Sequence, residues 1–264
     1  MIPERMRSLI VTGRVYDLGM EYFVGMPHFP THPPFLFSLG RLHGDMPYEG
    51  GVATSNCVFT TGGHTGTHID AHGHVSLNGK VFGVGDITPH QSAKGLSKGG
   101  IDQMAPVVSR GVLLDIAGLE GAQVLDAEYK VGVEALERAV QRQRVAVERG
   151  DTLLFRTGWI QYFHDASKYV SHHEGCPGLS EDGAEWLADR GVAFVGSDTS
   201  ALEKTPTRTL SVHGILLCRH GLHIMEMLNL EDLAIDSVYE FLFVACPLKI
   251  RGGTGSPIRP IAVG

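Results

Sequence analysis

His64-Thr65-Gly66-Thr67-His68-Ile69-Asp70-Ala71-His72-Gly73-His74 is the stretch from which the rest of the chain is read. It carries four imidazoles and a carboxylate, all at even-numbered positions, so an unbroken strand would project all five from one face. At roughly 3.3 Å per residue, His68 and Asp70 stand about 6.6 Å apart, close enough to grip one ion, whereas His64 lies about 13 Å from His68. For His64 to join them the chain must curl near Gly66, the residue type that tolerates the necessary dihedrals or a bulge. A helix would also bring His64 and His68 together, but Thr65, Gly66, Thr67 and Ile69 are poor helix formers. The stretch therefore reads as a bent strand or a strand-to-loop edge.

Neutral imidazole suits zinc, manganese and iron, and a carboxylate adds hard charge or bridges two ions. Any one of these histidines alone is an ordinary polar residue of a glycine-rich loop. Together, at this spacing, they point to a metal site.

At these residues the chain resembles the cyclase family, metal-dependent hydrolases that include bacterial kynurenine formamidase, isatin hydrolase and certain lactone hydrolases. The family signature, H-x-G-T-H-x-D-x-P-x-H, is matched by His64, Gly66, Thr67, His68, Asp70 and His74, while His72 stands where the family usually has proline. The resemblance covers nearly the whole chain. Asp17-Leu18, Gly25-Met26-Pro27 with Pro30, Arg156-Thr157-Gly158-Trp159, Gly196-Ser197-Asp198-Thr199, His213 with Glu226, and Gly255-Ser256-Pro257-Ile258-Arg259-Pro260 follow in family order. It implies an α/β fold of the swivelling β/β/α type, one domain over residues 1–264 with the metal site at its centre, and homodimers or homotetramers.

The 264 residues, 43% of them hydrophobic, can bury one large core, and no Pro/Ser/Gly-rich linker divides them into two halves. A net charge of −7 and the lack of a Lys/Arg stripe argue against nucleic acid or an anionic membrane as partner, leaving a small molecule. Near the N-terminus, Glu4, Arg5 and Arg7 precede only a brief apolar run, Leu9-Ile10-Val11, which fits neither a signal peptide nor a membrane span. Cys57, Cys176, Cys218 and Cys246 are scattered without C-x-x-C spacing, as expected of free thiols in a cytoplasmic protein.

Along the chain, residues 14–23 read as an opening strand and residues 25–35 as a proline-fixed loop, either a pocket wall or a surface connection anchored by Phe29 and Phe35. Strands are expected at 53–61, 111–116, 152–155, 192–195 and 222–228, with glycine-rich turns over 78–100. Helices are expected over 133–147, from an N-cap at Ser180 to Gly191, and from Ser211 to Gly221. Arg156 beside Trp159 could hold a substrate carboxylate or serve a structural ion pair. His90, His220 and His223 read as ordinary polar residues, and His172-His173 as part of an exposed loop. No Rossmann phosphate fingerprint and no internal repeat is present.

Glu226, between Met225 and Met227, is a carboxylate in apolar company that must be paired, protonated or bound to a cation if buried. The resemblance gives it a role. His64, His68 and Asp70 would hold one divalent ion, Zn²⁺ or Mn²⁺, and Asp70, His213 and Glu226 a second, two per chain. His74, unligated, would be the general base. The implied reaction is hydrolysis of an aryl formamide, with a cyclic imide or lactone as the alternative substrate. A metal-binding protein without catalysis is the competing non-enzyme reading.

Overall fold

The structure is a computed structural model that describes residues 4–171 and 174–264. His172-His173, expected in an exposed loop, fall outside the described residues. Among the described residues, eleven strands matter for the site: β1 (Val15–Asp17), β2 (Leu36–Arg41), β3 (Asn56–Thr60), β4 (His68–Asp70), β5 (Val107–Asp115), β6 (Thr152–Arg156), β7 (Phe194–Ser197), β8 (His223–Glu226), β9 (Glu240–Ala245), β10 (Gly255–Pro257) and β11 (Ile261–Val263). Nine of them form one sheet in the order β1-β11-β9-β5-β6-β7-β8-β4-β10, which leaves β2 and β3 as a separate hairpin.

Strands β5, β6, β7 and β8 run parallel at the centre and are flanked by antiparallel pairs. The apolar runs that identify them as buried strands are buried on both faces. Val112, Leu114, Leu153, Phe155, Val195 and Ile224 face a layer of helices built on Leu136, Leu187 and Leu216. Leu113, Leu154 and Met225 face the other way, against Ile69, Leu228, Leu233, Phe241 and Phe243. A third apolar cluster, with Met26, Phe35, Trp159, Phe163, Tyr169 and Met227, lies under the proline-rich loop. No helix among the described residues is long and apolar enough to cross a membrane.

The helix expected over 133–147 spans Val133–Gln143, because Arg144 adopts a left-handed conformation (φ 55°) and ends it one turn early. The second runs Glu181–Arg190 and stops at left-handed Gly191, as expected. Ser180, however, bonds the Val131 carbonyl and the Asp182 carboxylate instead of capping a helix N–H. The third starts at Ser211, with Leu210 as its N-cap, and continues as a π-helix over Gly214–His220 before Gly221. The opening strand is confined to Val15–Asp17, where pairing with β11 is available; residues 18–23 leave the sheet towards the site. Strand β3 begins at Asn56 and pairs with β2, a strand that the sequence reading left out.

Two family landmarks prove structural. The Asp198 carboxylate, fully buried, accepts bonds from the Thr157 N–H (2.9 Å), the Thr157 hydroxyl (2.6 Å) and the Gly158 N–H (2.7 Å), tying the ends of β6 and β7 together. Arg156 is 7% exposed and donates to Glu231 (2.6 and 2.9 Å), Asp115 (2.9 Å) and the Gln123 carbonyl (3.0 Å). Its donors face protein acceptors, so it serves an ion pair and does not orient a substrate. Removing one member of such a network strands the others in a poorly solvated place. Arg156→Met is expected to lower unfolding free energy by about 3 kcal/mol, read from urea titration, while leaving metal uptake intact.

Candidate metal centre

Strand β4 is only three residues long, and its brevity places the site. The Gly66 backbone lies at φ +70°, where a Cβ would come within 2.6 Å of the Tyr22 ring, so the chain bends there as the sequence suggests. His64 is thereby folded back over the strand and its Nδ1–H donates to Asp70 Oδ1 at 2.7 Å. His68 and Asp70 share one face of β4, while Ile69 points into the core. Strand β8 pairs antiparallel with β4 so that Glu226 lies opposite His68, and cross-strand partners share a face. On the other side β10 sets Gly255 opposite Asp70; a Cβ there would lie 2.5 Å from the His64 ring, so only glycine admits the imidazole. His213, on the helix that precedes β8, completes the group.

The resulting contacts are short. His68 Nε2 is 3.6 Å from Asp70 Oδ1 and 3.4 Å from Glu226 Oε2, and His213 Nε2 is 3.3 Å from Glu226 Oε1 and 3.9 Å from Asp70 Oδ2. The His74 ring stacks on His64 at 3.8 Å between centroids. Donor atoms converge in two triads among the described residues, His64/Asp70/His74 and His68/Asp70/Glu226, with Asp70 common to both. The residues expected to hold metal lie together, but the triads group them differently: His74, expected to stay unligated, joins His64 and Asp70, while His68 joins Asp70 and Glu226, and His213 approaches Glu226 and Asp70 from outside both.

Burial shapes the charges. It opposes ionisation of Asp70, yet the His74, His64 and His68 rings outweigh it and hold the carboxyl well below the usual range. Burial, with the nearby Asp70 charge, pushes Glu226 up to about 7 despite its bond to His213. His213 loses hydration too, but bonds to Glu203 and Glu226 raise it to about 10. Burial lowers His68 to about 3 and His74 to about 4, against the pull of Asp70.

The residues fit a bound cation. Asp70 is 1% exposed, and its Oδ2 atom has no hydrogen-bond partner. An ionised oxygen left without a hydrogen bond in the interior, with the His213 Nε2 atom 3.9 Å away, is what a positive ion satisfies. Two ring orientations suit the same end. His68 Nδ1–H donates to the Gly66 carbonyl at 2.7 Å, and His213 Nδ1 faces Glu203 Oε2 at 3.3 Å, so both Nε2 atoms turn towards the acids. Glu203 was missed by the sequence reading. The only signal was an acid five residues beyond the Asp198 landmark, and nothing in that spacing links it to His213.

His72 is not among the converging donors. Its Nε2–H donates to the Gly221 carbonyl at 2.9 Å, and its ring stacks on His223 at 4.0 Å. The His223 Nδ1–H in turn donates to the Asp70 carbonyl at 2.7 Å. The pair therefore braces the backbone of the central acid from behind. His220 pairs with Glu185 at the surface, away from the cluster. A surface cavity of about 880 Å³ lies at the β1 edge of the sheet around Tyr16, Asp236 and Glu240, away from the cluster.

The family described as "Putative cyclase" matches residues 16–204. A kynurenine formamidase from Bacillus cereus (strain ATCC 10987 / NRS 248) is 27% identical over 253 residues, 95% of this chain and 97% of the relative. One from Bacillus thuringiensis subsp. konkukian (strain 97-27) is 28% identical over 198 residues, 75% of each chain. Among solved structures, a protein described as a novel cyclase superposes with TM-score 0.90 at 29% identity, covering 100% of this chain and 92% of that one. Isatin hydrolase A from Ralstonia solanacearum gives TM-score 0.73 at 26% identity, covering 94% of this chain and 91% of that one. The α/β sheet with its flanking helices is thus of the expected cyclase type.

Saturating Zn²⁺ or Mn²⁺ is expected to raise the melting temperature of chelator-stripped protein, by about 2.7 kcal/mol of stability at a hundredfold excess over Kd. Asp70→Asn should abolish the rise, and an unchanged response in that variant would place the ion elsewhere. His223→Ala is expected to weaken metal binding by about 10- to 100-fold in a chelator competition, as loss of an orienting partner does.

Proposed function

The chain belongs to the cyclase family, and from that premise we propose that it is a metal-dependent hydrolase opening the C–N bond of a small amide, an aryl formamide first. The observation that carries this reading is the buried Asp70 carboxylate, whose Oδ1 meets His64 and His68 while its Oδ2, without a hydrogen-bond partner, lies 3.9 Å from His213 Nε2. His64, His68 and Asp70 would hold one divalent ion, and Asp70, His213 and Glu226 a second. Zn²⁺ and Mn²⁺ both suit this mixture of nitrogen and carboxylate donors. When bound, such ions bring a coordinated water to near-neutral acidity and polarise a carbonyl oxygen.

The chain's own groups supply the rest. Burial keeps the His74 ring neutral at pH 7, so it accepts the proton of the attacking water and returns it to the departing nitrogen. Its stacking on His64 fixes where that proton is taken up. Glu203 holds His213 in the ring orientation that presents Nε2, and the Gly66 carbonyl does the same for His68. Tyr22, Phe29, His32 and Phe35, from the loop before the hairpin, stand beside the cluster as its wall; the His32 ring is 5.3 Å from His64 and 6.4 Å from His74. The substrate is a small molecule in this reading, and the protein a cytoplasmic homo-oligomer with residues 1–264 forming one catalytic unit.

A second reading, hydrolysis of a cyclic imide or lactone, is favoured by the likeness to isatin hydrolase A over 94% of the chain. A panel of N-formyl anilines, isatin and lactones with Zn²⁺ or Mn²⁺ separates the two, with fastest turnover expected for the formyl anilines. Binding of metal without hydrolysis of any member would make the protein a metal binder only. His74→Ala is expected to retain metal while losing about 10²-fold or more in kcat. Full activity in that variant would move proton transfer to another group.

A further inference from the structure

His32 stands on the wall of the site with one ring nitrogen to spare. Its backbone N–H donates to the Phe29 carbonyl at 2.8 Å, which closes a turn in the proline-rich loop. Its Nδ1 faces the His64 carbonyl at 3.3 Å. A carbonyl oxygen only accepts, so the ring hydrogen sits on Nδ1 and Nε2 carries a lone pair. That Nε2 has no hydrogen-bond partner among the described residues, and the half-buried ring leaves it open to an incoming group.

We propose that His32 Nε2 accepts the N–H of the scissile amide, which makes it the residue that selects secondary amides over N-alkylated amides and esters. This deepens the amide-hydrolase reading above and rests on it. The His32 ring centre is 5.3 Å from that of His64 and 6.4 Å from that of His74, edge-on to the latter. Two hydrogen bonds of about 2.9 Å to one tetrahedral nitrogen set their outer atoms roughly 5 Å apart, a span that imidazoles at this separation cover with one nitrogen each. His74 can therefore return its proton to the departing nitrogen while His32 holds the hydrogen that this nitrogen already carries. The Phe29 ring, 6.0 Å from His32, lines a cavity of about 130 Å³ with Val170, Ser200 and Pro206, so the acceptor adjoins an apolar surface for an aryl group.

Discrimination comes from what the wrong substrate leaves unpaired. An N-methyl group brings no hydrogen to Nε2, and an ester oxygen sets its own lone pairs against that of the ring. In both cases the substrate displaces water from a polar atom without replacing the bond. Reversing the tautomer to meet the ester would turn an Nδ1 lone pair on the His64 carbonyl oxygen, so the backbone holds the preference in place. The same rule admits isatin, whose ring nitrogen bears a hydrogen, and disfavours lactones.

The test is the ratio of kcat/KM for N-formylaniline to that for N-formyl-N-methylaniline, measured on protein supplied with Zn²⁺. The wild type is expected to prefer the N–H substrate by about tenfold or more, and His32→Phe to lose about tenfold of that preference, the scale of one hydrogen bond. His32→Gln, whose side-chain carbonyl also accepts, should keep most of it. A ring that merely braces His64 would lower both rates alike, so an unchanged ratio in His32→Phe overturns the assignment whatever the absolute rates. A wild type that turns over both substrates equally overturns it without any variant. Imidazole nitrogen NMR reads the tautomer without turnover: a His32 with hydrogen on Nδ1 and a bare Nε2 is expected, and the reverse tautomer would overturn the proposal. Failure of the wild type to hydrolyse either formyl aniline or isatin would overturn the amide-hydrolase reading itself, and the substrate class named here with it.

Discussion

Everything at this site turns on one buried carboxylate. Asp70 gives one oxygen to the His64 ring and keeps the other bare, in a place where burial opposes charge and only neighbouring imidazoles sustain it. Such a group is expensive to hold without a cation and well satisfied with one. The local architecture serves to place it. Three short antiparallel strands put His68 and Glu226 beside it, the bend at Gly66 brings His64 across, and the absent side chain of Gly255 leaves room for that ring.

Behind the ligating faces lies a further shell, and its parts act on backbone and ring orientation. Glu203 settles His213, and the Gly66 carbonyl settles His68. The His72–His223 stack grips the Asp70 carbonyl and the turn at Gly221. At His72, where the signature this stretch resembles has proline, the chain uses a hydrogen-bonded aromatic stack. Rigidity is obtained by packing and bonding in place of a ring that fixes φ.

What could be read from the residues alone follows from the range of the forces involved. The bend at Gly66 was legible because few residue types adopt that backbone, and the central strands because doubly buried strands spell continuous apolar runs. Arg144 ends its helix early through a left-handed conformation that its residue type does not advertise. Strand β2 was invisible because its residues face solvent within one chain, so the alternation expected of a half-buried strand is missing. Glu203 and the bracing role of His223 depend on contacts across 10 and 153 residues, which local spacing does not encode. The meeting of His213 and Glu226 with Asp70 came from family likeness, and the register of β4 with β8 supplies its physical reason.

The central claim is that cations, held by groups distant in the chain, complete the Asp70 carboxylate. Anomalous X-ray diffraction from crystals grown with Mn²⁺ or Zn²⁺ tests it most directly. The account predicts two peaks, each within coordination distance of an Asp70 oxygen, one beside His64 and His68 and the other beside His213 and Glu226. Fully ordered density for these side chains in metal-soaked crystals, with no anomalous peak touching Asp70, would contradict it.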